Sequence, residues 1–170
     1  NNFYKCNAEV TGAAIYLNEY DLKYATKLSQ NKGTYEKIKI NNNVFNLGYQ
    51  GEYDIQKEVS GIKIGTRGEI ISIDKNIFWN CNFGIIVDNG STNQIRNNTF
   101  SLNKIGLYFK KVGLVALIHG NDFNENRIAG ILCKDTDLNK IITDFLLKGN
   151  TIERNGSELK KGIISEKNNN

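Results

Sequence analysis

The chain has 170 residues, 22 Lys and Arg against 18 Asp and Glu, a net charge of +4 and one His. That length is one domain, and bases dispersed along it argue against a nucleic-acid partner. No apolar run approaches the ~20 residues that span a bilayer, and Cys6, Cys81 and Cys133 show no C-x-x-C or Cys/His ligand spacing, so zinc is not expected either.

The first element opens at Asn1-Asn2-Phe3 and is answered by Gly12 and the apolar residues Ala13 and Ile15. Residues 18–37 interrupt it, with Tyr20, Leu22, Tyr24, Ala25 and Leu28 at a spacing that could form a short amphipathic helix. The phrase then returns as Asn43-Val44-Phe45, and after a second insertion over 49–60 comes Gly61-Ile62-Lys63-Ile64. Three cleaner copies follow: Asn76-Ile77-Phe78 with Gly84-Ile85-Ile86-Val87, Asn98-Thr99-Phe100 with Gly106-Leu107-Tyr108-Phe109, and Asn121-Asp122-Phe123 with Gly130-Ile131-Leu132-Cys133. A third insertion spans 134–143, and the last copy pairs Asn150-Thr151-Ile152 with Gly162-Ile163-Ile164.

The shortest spacing between lead Asn residues, 98 − 76 = 22, lengthened only by insertions, marks a solenoid. Inside each short segment apolar residues alternate with others, which is strand periodicity. Each copy therefore predicts three short strands, and stacked copies place Phe45, Phe78, Phe100 and Phe123 in one column. The lead Asn is expected to take a left-handed bend and to bond its counterparts above and below. The Gly before the third strand is expected to need positive φ. A second column runs five residues after each lead, through Cys6, Gly48, Cys81, Asn103, Asn126 and Asn155. Cys6 and Cys81 lie two repeats apart, about 10 Å, which is too far for a disulfide. The cysteines are expected to be buried thiols.

Phrases such as Asn98-Thr-Phe-Ser-Leu-Asn103-Lys-Ile-Gly106-Leu107 resemble the right-handed parallel β-helix of the pectin-lyase-like superfamily. The resemblance covers nearly the whole chain and implies an all-β coil of about six turns with lateral loops, one domain over 1–170. It implies an extracellular, cell-surface or periplasmic protein and a polysaccharide or glycan partner. The superfamily includes polysaccharide lyases, glycoside hydrolases, adhesins, fibres and repeat proteins without known catalysis, so fold alone does not select an activity.

Residues between the inward columns face out. Asp74, Arg96, His119 and Lys148 occupy one outward position on successive turns. Such a ladder could neutralise a uronate and move protons, and Asp74 could hold calcium, the one cofactor entertained. Equally, it could be a charge-alternating ladder that stabilises the sheet. Trp79 and Tyr108 suit stacking on sugar rings. The stripe Ile86, Tyr108, Leu132 and Ile164 is unusual on a solvent face and calls for a covering loop or a partner. No carboxylate pair is fixed by spacing as a hydrolase needs. The sequence thus points to a carbohydrate-binding coil without a catalytic motif, with a lyase or hydrolase of acidic polysaccharide as the alternative. Residue 1 falls inside a repeat and Met is absent, which reads as a mature product or a segment of a longer chain, with stacking of further chain or a subunit at the coil ends.

Overall fold

The computed structural model describes residues 2–4, 11–18, 38–48, 58–65, 71–88, 93–110, 117–134, 149–156 and 162–166. Three short strands form in each of the four central repeats because bends bracket each alternating apolar segment. The first sheet runs β1 (Asn2–Tyr4), β4 (Val44–Asn46), β7 (Ile77–Trp79), β10 (Thr99–Ser101), β13 (Asp122–Asn124) and β15 (Thr151–Glu153). The second runs β2 (Thr11–Asn18), β5 (Glu58–Gly65), β8 (Phe83–Asp88), β11 (Ile105–Lys110), β14 (Ala129–Lys134) and β16 (Ile163–Glu166). The third runs β3 (Ile38–Asn41), β6 (Ile71–Asp74), β9 (Asn93–Arg96) and β12 (Leu117–His119). All pairs are parallel, and each sheet pairs every strand with its counterpart one repeat away. The architecture is the right-handed parallel β-helix expected from the repeat.

The core sits inside the coil. Phe45, Phe78, Phe100 and Phe123 stack with centroids 4.8, 4.9 and 4.7 Å apart and rings within 7° of parallel. That spacing is the strand separation itself. Ile40, Ile73, Ile95 and Ile118 line the third sheet, and Ile62, Ile85, Leu107 and Ile131 the second, all in the same cluster. Each turn contributes mostly through contact with its neighbours.

The lead Asn residues form a continuous buried ladder. The backbone N and Nδ2 of Asn76 both donate to Oδ1 of Asn98, at 2.9 and 3.1 Å. Asn98 does the same to Asn121, and Asn121 to Asn150. Each Nδ2 also reaches back a turn, as from Asn98 to the Ile73 carbonyl at 3.0 Å. Asn103, Asn126 and Asn155 make a second ladder of the same design.

Two local expectations need correction. The left-handed residue is not the lead Asn but the one before it: Asn42, Lys75, Asn97, Gly120 and Gly149 have φ between 54° and 70°. Asn80, Leu102, Glu125 and Arg154, with φ between 50° and 55°, hold the same place before the second ladder. The Asn itself is occupied in accepting and donating along the ladder. Nor do the glycines opening the second-sheet segments take positive φ. A Cβ on Gly84 would lie 2.7 Å from Phe100 Cδ1 and 2.5 Å from the Gly106 carbonyl oxygen, so Gly is required by close approach to the Phe column.

That corner also explains the apolar stripe. Gly84 and Ile85 both face inward, so Phe83 and Ile86 both face out. Phe83, Ile86, Ile105, Tyr108 and Leu132 form a second apolar cluster, with Ile86 fully buried within the single chain. Of the stripe, Ile86, Tyr108 and Leu132 are buried within the single chain and Ile164 is half-buried. The second insertion is also shorter than its sequence suggests, because β5 begins at Glu58. The helix expected in 18–37 and the insertion over 134–143 lie outside the described residues, apart from Asn18 in β2 and Lys134 in β14.

Candidate functional site

The expected site residues spread over three faces. Asp74, Arg96 and His119 end β6, β9 and β12, each just before the left-handed bend, and pair in register. Successive rungs place them about 4.8 Å apart. Arg96 Nε lies 3.8 Å from Asp74 Oδ1, and Asn97 Nδ2 donates to the same oxygen at 2.9 Å. Arg96 and His119 are exposed and Asp74 is half-buried. The ladder presents a guanidinium and an imidazole side by side, with the carboxylate already engaged. Such a face can receive an anion. Lys148 lies outside the described residues.

Tyr108 is not at the surface. It is 4% exposed and stacks on Phe83 at 5.3 Å inside the second cluster, so its ring offers no face to a ligand. Its outward position had suggested an exposed ring; the Gly106 corner and the packing over it bury it instead.

Trp79 is exposed, at 45%, on the outer face of the first sheet, and Ile77 two residues earlier matches it. In register with Trp79 stand Asn46 on one side and Ser101, then Asn124, on the other. In register with Ile77 stand Val44, Thr99 and Asp122. Over β4, β7, β10 and β13 the outward residues of this face include no cation and one acid.

That acid escaped the sequence reading. Burial pushes the Asp122 carboxyl up from its ordinary value, Glu153 on the next strand adds to this, and Arg154 partly offsets it. A carboxyl held up beside a second carboxylate is a feature acid–base sites share. The only signal was an acid at the Asn-x-Phe position where Val44, Ile77 and Thr99 stand elsewhere; its relation to Glu153 needs the register across the third insertion.

A coil of stacked three-strand turns, carrying its chemistry on outward ladders, belongs to the class of parallel β-helix repeat proteins. Within that class, residues 6–170 match the family described as "Periplasmic copper-binding protein (NosD)", and the chain belongs to it. The family's periplasmic placement falls within the location expected from the sequence, and no helix among the described residues is long and apolar enough to cross a membrane. Neither a curated protein nor a solved structure matches the chain.

Copper would call for imidazole, thiolate or thioether donors. The chain has one His, three Cys and no Met, and among the described residues no three His, Cys, Asp or Glu side chains gather. The described residues do not fit the metal.

Proposed function

We propose that this chain is a periplasmic β-helix that binds an extended, uncharged glycan along the outer face of its first sheet, without acting on it. The observation that carries the reading is Trp79, exposed and flanked in register by Asn46, Ser101 and Asn124. An indole face stacks on the apolar face of a sugar ring. Neighbouring amides and hydroxyls supply donors and acceptors for sugar hydroxyls. The column runs along the coil axis, so a glycan would lie parallel to it. Asp122 and Glu153, with no cation among the outward residues of β4, β7, β10 and β13, favour a neutral polymer over the acidic one of the lyase or hydrolase alternative.

A second reading, a glycoside hydrolase, has one supporting observation: the raised Asp122 carboxyl beside Glu153, two strands from Trp79 on the same face. A protonated acid and a second carboxylate are what glycosidic cleavage uses.

Trp79 is the only Trp in the chain, so its fluorescence reports on this face alone. Titration with soluble neutral polysaccharides should shift its emission, and Trp79→Ala, followed by calorimetry because the variant has no Trp, should weaken binding at least tenfold with the melting temperature unchanged. Retained affinity in Trp79→Ala, or dependence on Arg96 instead, would move the ligand to the third sheet. Release of reducing ends, abolished in Asp122→Asn, would establish the hydrolase.

A further inference from the structure

We infer that this chain is a copper-free member of its family, Cys81 and Cys133 serving to build the coil rather than as ligands. Cys81 occupies a position of the second Asn ladder. Its backbone N donates to Asn103 Oδ1 at 2.9 Å, as a ladder Asn does. Its thiol lies 3.5 Å from the Phe45 carbonyl, one turn back, and 3.5 Å from the Trp79 carbonyl, two residues back. Asn155 donates to the corresponding pair, the Phe123 and Glu153 carbonyls, both at 2.8 Å. The S–H of Cys81 therefore replaces an amide N–H. A thiolate there would face two carbonyl oxygens with no proton between them, and metal ligation needs the thiolate.

Cys133 stands in register with Phe109, in the interior column that also holds Val87 and Ile64. It is fully buried, and burial pushes its thiol up to about 12. It substitutes for an aliphatic residue. Cys81 and Cys133 lie two turns apart on different columns, about 10 Å along the axis. His119 is outside the coil on the third sheet, one rung from the Arg96 guanidinium, which repels a metal cation. Cys6 lies outside the described residues, and no Met exists to supply a thioether.

The test is Cu(I) titration of the reduced full chain, without oxygen, against a chromophoric Cu(I) chelator. The expected result is that all copper stays with the chelator and none co-elutes with the protein. One equivalent retained against the chelator would overturn the inference, whichever of Cys6→Ser, Cys81→Ser or His119→Gln then abolished it. Independently, Cys81→Asn should fold with an unchanged or higher melting temperature, because Asn makes the same two backbone contacts. Loss of the folded state in Cys81→Asn would remove the ladder reading of this thiol.

Discussion

Lys75 holds φ at 55° with its side chain in solvent, a conformation costing a non-Gly residue about 1–2 kcal/mol. The Asn ladder beside it keeps the bend in place, and at the same point two turns on the chain uses Gly120. Lys75→Gly should therefore raise stability by about 0.5–1 kcal/mol in urea unfolding, since relief of strain outweighs the added freedom of the unfolded chain. Asp122 makes the opposite kind of strain, electrostatic rather than steric. Its folded pKa lies above the unfolded value, through burial first and Glu153 second. Its favourable contribution is present below the unfolded pKa and is lost as pH rises through the folded one. Asp122→Asn should accordingly stabilise the fold at neutral pH, with the gain vanishing in acid, read by thermal melts across pH. A gain that persists at low pH would assign the effect to packing. The Asn residues were legible as ladder members, but the neighbour that takes the left-handed bend was not, because Lys75, Leu102, Glu125 and Arg154 share no side-chain chemistry, only a place in the turn.

Gly84 shows how a strand element constrains its partner. Its inward Cα passes so close to the Phe100 ring that a methyl group has no room, and the Gly106 backbone blocks the other direction. Gly84→Ala should cost about 3 kcal/mol, near the upper end of ordinary overpacking, and should also weaken the stacking of Phe78 on Phe100. Hydrogen exchange would show the loss first in β8 and β11. An Ala variant of native stability would mean that the column shifts freely, contrary to rings held within 7° of parallel. The Gly column was plain in the sequence while its cause was not: a repeated Gly reads equally as a φ requirement or a contact requirement, and only the facing ring decides. The buried second cluster was missed for the same reason. Two successive inward residues, Gly84 and Ile85, break the alternation on which a face assignment rests, so Ile86 and Tyr108 appeared to be exposed.

At the scale of the whole molecule, the interior repeats and the exterior does not. Stacking forces like residues above like, so Phe45 to Phe123 and Asn76 to Asn150 carry a period that any reader of the sequence can count. Outward residues obey no such rule. Asp74, Arg96 and His119 were found to be neighbours because they follow the lead Asn register, whereas Asp122 and Glu153 escaped notice because the outer face of the first sheet has no motif of its own. The ladder that makes the interior legible also makes its units interchangeable. Asn76, Asn98 and Asn121 each donate two N–H groups to the Oδ1 of the next lead Asn, and each lead Asn from Asn76 to Asn150 donates to a carbonyl one turn back. Removing residues 98–120 would bring Asn121 to Asn76 with its Oδ1 where that of Asn98 had been, and Phe123 onto Phe78. A coil built this way is expected to reseal after in-frame deletion of one whole turn, at the cost of one turn's neighbour contacts.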